Sequence, residues 1–493
     1  MLVQSTRGGA TARDTRAVLE GIAPDGGLFV DAALPERPFD WRDCLQQTPL
    51  EMAVRVLSFQ LPGFEGMREL AQRAYTGKFE TEDLTTLVPV GEDYVLELFR
   101  GPTSAFKDVA LSMLPQLMSA AREQEGARGE TVILTATSGD TGKAALEGFH
   151  GVPGTRIFVF YPDGGVSPIQ RLQMVTQEGA NVCVCALRGN FDDCQTGVKR
   201  AFAAIREGNL LSGSGQSLSS ANSINIGRLA PQVVYYFIAF AELLRQGKIC
   251  EGDKVDYVVP TGNFGDILAG WQAKQMGLPV GKLICASNAN RVLTDFFETG
   301  VYDRRREFVR TSSPSMDILV SSNLERLLFF ASRGDTALVS ACMRQLSEQG
   351  FYRLPEAVMA RIREDFAAFC CSEEETESEI GRVWRDNRYL CDPHTAVAMR
   401  AARLYKAQAE EKRPVVVLST ASPFKFPGAV LRALEADAGG DEFQQMEQLS
   451  DISGLPIPRN LAGLRQKSVR FTDVIDGEEM LPYILGKLKE TVV

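Results

Sequence analysis

The chain has 493 residues, a net charge of −10, 44% hydrophobic and 24% charged residues. That length suffices for two or three domains with a large core, and the composition is that of an ordinary globular protein. The negative balance argues against a general nucleic-acid or anionic-membrane binder, although single loops can still hold anions. No apolar run reaches bilayer length: the richest, Tyr235 to Leu244, contains Glu242. The first residues, Met1 to Arg7, lack an apolar leader, so a cytoplasmic protein is expected. The ten cysteines include no CxxC pair and read as reduced packing residues. With only His150 and His394, a three-histidine zinc site is impossible, and no metal site is expected. His150 precedes Gly151 and reads as a helix end. His394, in Cys391-Asp-Pro-His-Thr-Ala396, reads as a helix start, a structural role that still allows it to line a cleft.

In chain order, residues 1 to about 92 form a separate opening section, with a turn at Pro24-Asp-Gly-Gly27 and helical character over 49–73. From about 93 the pattern becomes strand, loop, helix. Strands are predicted at 132–136, 156–161, 181–187, 255–260, 283–287 and 414–419. Helices are predicted at 143–148, 169–177 and 191–205. This alternation predicts an α/β protein with mainly parallel sheets and helices on both faces. Between roughly 300 and 385 the β signal fades, which reads as a helical insertion. Its acidic run, Ser372-Glu-Glu-Glu-Thr-Glu377, reads as a solvated face. The last fifty residues read as a small appendage.

Four places can carry chemistry. In Thr261-Gly-Asn-Phe-Gly-Asp266, Gly262 and Gly265 let backbone N–H groups approach an anion at a helix start. A phosphate fits there, and so does a plain strand-to-helix turn. Thr137-Ser-Gly-Asp-Thr-Gly142 fails as a nucleotide P-loop, which needs glycine at 137 and a hydroxyl at 144, where Thr137 and Ala144 stand. Its Thr137, Ser138 and Thr141 hydroxyls suit a carboxylate or phosphate. Asn222, Ser223 and Arg228 form a third polar cluster, able to cup an oxyanion or to leave the arginine in a surface ion pair. Lys107, just behind Phe106, can be a desolvated amine nucleophile or base, or a surface lysine beside Asp108.

Taken in order, these segments resemble threonine synthase. The resemblance runs through Ser5-Thr-Arg-Gly8, Ala23-Pro-Asp-Gly-Gly-Leu-Phe29, Gly101-Pro-Thr-Ser-Ala-Phe-Lys-Asp108 and residues 137–142, 221–228 and 259–266. It continues through Asp392-Pro-His-Thr-Ala396 and residues 419–427, and so covers nearly the whole chain. The family consists of pyridoxal-phosphate (PLP) enzymes with the tryptophan-synthase-β-like fold, fold type II. The resemblance implies a large PLP-binding α/β domain from 93–129 and 230–440, which includes the helical insertion. It implies a small α/β domain at 130–229, the 1–92 section and a 441–493 appendage. It makes Lys107 the lysine that carries PLP and later moves protons. Gly262, Asn263, Phe264, Gly265 and Asp266 would hold the cofactor phosphate, mainly through backbone N–H groups. Thr420 would sit by the pyridine nitrogen and Asp140 near the ring hydroxyl. Ser138, Thr141, Asn222, Ser223 and Arg228 would bind substrate.

The activity implied is conversion of O-phospho-L-homoserine and water to L-threonine and phosphate, by a monomer or homodimer. The alternatives are a phospho-lyase that releases 2-oxobutyrate from the same substrate, and a catalytically silent homologue. Two residues depart from the family's usual motif: Arg100 stands where histidine is usual, and Ser104 where leucine is frequent.

Overall fold

The β-branched apolar runs pair into two parallel sheets, as continuous runs buried on both faces do. The computed structural model describes residues 1–490 apart from 128 and 212. The larger sheet has six strands in the order Phe366–Cys370, Val280–Ser287, Val255–Pro260, Val415–Ser419, Asp93–Glu97, Thr86–Val90. All its neighbours are parallel except the last pair, a hairpin turned at Gly91. The smaller sheet is parallel throughout, in the order Val474–Ile475, Val182–Leu187, Thr155–Pro162, Thr131–Ala136, Ser217–Ser219.

Helix Lys107–Gln124 packs closely on helix Asp140–Phe149. Pro115 has no N–H for the Leu111 carbonyl one turn back. A side chain at Gly148 would collide with that same oxygen, so the two helices meet at backbone distance. The apolar run singled out above is the helix Val233–Arg245, buried on nearly every side and therefore a core helix. Among the described residues no helix is long and apolar enough to cross a membrane.

Four expectations need correction. The 49–73 helix is two helices, Pro49–Gln60 and Met67–Tyr75. Leu61 precedes Pro62, which forces it out of the helical region, and Gly66 restarts the chain from a left-handed conformation. The 300–385 stretch is not purely helical. Val301–Asp303 pairs with Phe351–Arg353, and Phe366–Cys370 forms the edge of the large sheet. The acidic run is not simply a solvated face. Ser372 and Glu375 form a capping box for helix Glu373–Asn387, where carboxylates meet the positive end of the helix dipole. Glu375 also pairs with Arg400 at 2.5 Å. Finally, the last fifty residues are more than an appendage. Val474–Ile475 extends the small sheet, and Met480 and Ile484 of helix Met480–Lys489 enter the core beneath helix Phe191–Glu207.

Candidate active site

The segments at 98–106, 137–139, 220–225, 261–264 and 420–422 all leave the C-terminal ends of parallel strands. In open α/β sheets that is where ligands bind. Lys107 opens its helix. The loop before it is stitched to the 420–422 loop: Phe106 N–H donates to Thr420 O at 2.9 Å, and Ser422 N–H donates to Ser104 O at 3.2 Å. Lys107 Nζ lies 4.8 Å from the centre of the Phe106 ring and donates to Ser315 Oγ at 3.1 Å. Burial pushes the amine down to about 8, with Arg228 and Lys425 acting in the same direction against Asp140 and Asp108. A buried lysine near neutrality can act as nucleophile and base.

Asp140 and Lys425 form a buried pair, with Nζ 2.6 Å from Oδ1. Gln170 Nε2 donates to the same oxygen at 2.9 Å, and Lys425 also donates to Thr103 O at 3.2 Å. Burial alone would raise the Asp140 carboxyl, but Lys425 and Lys107 together hold it well below the usual range. Gly139, at φ +135°, leaves room for the Gln170 amide, which a Cβ there would strike.

The 261–266 loop meets the third cluster. A Cβ on Gly265 would lie 3.9 Å from Ser223 Cβ, and Phe264 enters the helix Gly265–Gln275 from a left-handed conformation without a side-chain cap. The helix's first N–H groups thus have no capping side chain to satisfy them. Arg228 is buried, which pushes its guanidinium down to about 10, and Nη1 donates to Ala221 O at 2.8 Å. Among the described residues, none hydrogen-bonds the side chains of Ser138, Thr141, Asn222, Ser223 or Thr420.

Two expected phosphate-loop residues point elsewhere. Phe264 packs its ring against Phe297 and Phe366, which also stack on each other. The Asp266 carboxylate turns away from the loop, accepting from Tyr235 at 2.6 Å and Tyr236 at 3.1 Å, while its buried Oδ2 has no partner among the described residues. These two residues can serve an anion only through backbone N–H groups, which suits a position where a carboxylate would repel phosphate. The departures from the family motif also find partners. Arg100 is held by Glu97 and Glu80, and Ser104 Oγ donates to Asn460 Oδ1 at 3.0 Å.

Burial raises the Asp266 carboxyl from 3.8 to about 7, against the two tyrosines and Lys107. A folded-state value above the unfolded one means that this group's contribution falls as pH rises from about 4 to about 7. Asp266→Asn, which carries no proton to lose, is expected to remove that fall. Its stability relative to the natural protein should rise by a few kcal/mol across the window, roughly 4 at most. Urea unfolding at both ends of the window checks it, and parallel stability curves for the two proteins would refute a buried neutral carboxyl.

Sequence reasoning missed three residues that the fold brings to this site, Lys425, Gln170 and Ser315, and allowed a fourth, His394, no more than a place lining a cleft. Lys425 lies within the 419–427 segment already singled out, but nothing marked it as buried. Gln170 reads locally as a helix-cap partner of Ser167. Ser315, in the turn Pro314–Met316, carried no signal. His394, read as a helix start, does begin helix Pro393–Gln408, yet its Nε2 accepts from Ser315 N–H at 3.2 Å. Three buried cations, Lys107, Lys425 and Arg228, thus face two carboxyls: Asp140, held well below the usual range, and Asp108, which burial pushes up to about 6. That excess of positive charge, an amine of lowered basicity, an uncapped glycine loop and unpaired hydroxyls fit an aldehyde cofactor bearing a phosphate.

Residues 94–421 match the family model described as pyridoxal-phosphate dependent enzyme, and residues 395–481 match that of the threonine synthase C-terminal region. Threonine synthase from Pseudomonas aeruginosa is 40% identical over 436 residues, 87% of this chain and 89% of that protein. Human threonine synthase-like 1 is 38% identical over 458 residues, 90% of this chain but 61% of that protein, so the chain spans about three fifths of that relative's length. The crystal structure of PLP-bound threonine synthase from Brucella melitensis superposes with a TM-score of 0.86 at 37% identity, covering 99% of this chain and 100% of that one. On sequence, architecture and site chemistry together, the chain belongs to the threonine synthase family of pyridoxal-phosphate-dependent, fold type II enzymes.

Proposed function

We propose that the protein converts O-phospho-L-homoserine and water to L-threonine and phosphate. The observation that carries this reading is the excess of buried cations. One phosphate-bearing cofactor and one substrate with both a carboxylate and a phosphate need more positive charge than a cofactor alone. PLP supplies an electron sink for the substrate's α-carbon. Lys107 would hold the cofactor, and its amine, when free of it, would accept the α-proton and later return protons. Gly262, Asn263, Phe264, Gly265 and Asp266 offer backbone N–H groups to the cofactor phosphate. Thr420 offers a neutral hydroxyl to the ring nitrogen. Asp140, tied to Lys425, would stand by the ring hydroxyl. Ser138 and Thr141 take the substrate carboxylate. Asn222, Ser223 and Arg228 grip the substrate phosphate, and the arginine stabilises charge as phosphate leaves the γ-carbon. Loss of a β-proton supplies the electron pair that expels phosphate, the γ-carbon takes up a proton, water adds at the β-carbon, and a proton returned to the α-carbon completes threonine.

A second reading keeps the first half of this chemistry but ends in 2-oxobutyrate and ammonia. It is favoured by one observation: the chain is about as similar to a threonine synthase-like protein as to threonine synthases. The test is to incubate PLP-loaded protein with O-phospho-L-homoserine and follow phosphate, threonine and 2-oxobutyrate together. Threonine in step with phosphate is the expected result. Phosphate accompanied by 2-oxobutyrate would replace the first reading with the second, and no phosphate at all would overturn both.

A further inference from the structure

Ser315 lies at the centre of the site although nothing in its local sequence marks it. Its hydroxyl accepts from Lys107 Nζ at 3.1 Å. Its carbonyl faces the glycine loop, where a Cβ on Gly262 would come within 2.6 Å of it. Its N–H donates to His394 Nε2 at 3.2 Å, and His394 Nδ1 lies 2.6 Å from Asp392 Oδ1. A backbone N–H can only donate, so Nε2 must be the unprotonated nitrogen and Nδ1–H must point at Asp392. The imidazole is 2% exposed and Asp392 fully buried, so neither has solvent as an alternative partner.

The turn carrying Ser315 is fixed from its other side as well. Asn288 Nδ2 donates to Thr311 Oγ1 at 2.9 Å, to Ser313 Oγ at 2.9 Å and to Asp317 Oδ1 at 2.7 Å. Thr311 N–H donates to Asp317 Oδ2 at 3.0 Å. A loop held this firmly places one hydroxyl on Lys107 and has little freedom to place it elsewhere. A serine hydroxyl also suits both states of the lysine. It accepts from the ammonium, and by rotating it donates to the neutral amine.

We propose that Ser315 orients the Lys107 amine, and that His394, held by Asp392, is a positioning residue that acts through the Ser315 backbone. The proposal rests on Lys107 being the lysine that carries the cofactor. In this arrangement His394 transfers no proton itself. Its Nε2 sets where the Ser315 turn lies, and the turn sets the direction in which the freed amine presents its lone pair. The other charged groups around Lys107 are Asp140, Asp108, Asp266, Arg228 and Lys425, while Asp392 and Asp317 face His394. All of them remain in place in the variants below.

The experiment compares PLP-loaded natural protein with Ser315→Ala, His394→Leu and His394→Gln. Each is first treated with borohydride and mapped, to find which lysine holds the cofactor. The visible spectrum is then titrated with pH, and turnover of O-phospho-L-homoserine is measured. Ser315→Ala removes an acceptor from a protonated nitrogen, so the spectral midpoint should move to lower pH by about one unit. Turnover should fall about tenfold or more, with KM changed far less. His394→Leu should show the same pair of effects. His394→Gln, whose amide oxygen can take the place of Nε2, should recover most of both. A Ser315→Ala midpoint matching that of the natural protein would overturn the Ser315 role, and it holds even if a histidine variant fails to fold. Equal damage in His394→Leu and His394→Gln would reduce His394 to a packing residue. Cofactor trapped on a lysine other than Lys107 would overturn the premise, separately from the Ser315 results. Intact spectral shifts without turnover would leave the positioning role standing and count against the proposed substrate instead.

Discussion

Lys107→Ala is expected to remove turnover while leaving the protein folded. The amine has two tasks in the proposed reaction, holding the cofactor and moving protons, and no described neighbour can take over both. Lys425 is the other lysine at the site, but its Nζ is committed to Asp140 and to Thr103 O. Loss of a positioned acid–base group alone costs about 10²- to 10⁴-fold, so the fall in turnover should reach about a thousandfold or more. Stability should change little. The substitution removes one of three buried cations that repel one another, which offsets the packing lost with the side chain. The visible band of the lysine-bound cofactor should vanish while the urea midpoint stays close to the natural one. Retained turnover would place the cofactor lysine elsewhere.

Lys425→Met is expected to give the largest loss of stability. The side chain of Lys425 is fully buried and that of Asp140 is 2% exposed, so solvent cannot compensate either partner. Removing one member of a buried pair leaves an unneutralised charge and typically costs about 3–5 kcal/mol. The pair also joins the loop after Val415–Ser419 in the large sheet to the helix that follows Thr131–Ala136 in the small one. The sign of the pH effect follows from Asp140, whose carboxyl is held below its ordinary value in the fold. Such a group adds stability above its unfolded value, and that stability is lost as pH falls. The deficit of Lys425→Met should therefore be full at neutral pH and shrink below about pH 4. The double variant Lys425→Met with Asp140→Asn should recover most of the loss, because neither buried charge remains. Urea unfolding of the three proteins at two pH values decides it. A double variant no more stable than Lys425→Met would mean that Lys425 acts through packing rather than through charge.

Much of the architecture was readable in one dimension. The run Val255–Pro260 is a strand over its full expected length, and Thr131–Ala136 and Val182–Leu187 differ from expectation by one residue at one end. These strands are continuous apolar runs bounded by glycine and hydroxyl-rich loops, so local composition marks them. Phe366–Cys370 was not readable. Five residues directly after a charged helix give no periodicity, and the strand exists because Val280–Ser287 offers it an open edge. The split of the 49–73 helix was signalled by Pro62 and overridden by apolar spacing. Gly262, Gly265, Ser138 and Thr141 stood out because glycines and hydroxyls at a strand end can hold an anion, a pattern a plain turn shares, and Arg228 because its guanidinium is a planar donor fork.

The sequence by itself determined the order of strand, loop and helix, and with it the placing of the polar loops at strand ends. It also determined family membership, through motifs whose joint order is far more specific than any one of them. Only the tertiary structure decided which side chains meet. Ser315 reaches Lys107 across 208 residues, and Lys425 reaches Asp140 from the other sheet. Asp266, which lies in the glycine loop by sequence, turns its carboxylate to Tyr235 and Tyr236. The physical reason is common to all three. Backbone propensity is local, whereas burying a charge or hydroxyl requires a partner that desolvation selects from whatever the fold brings within about 3 Å.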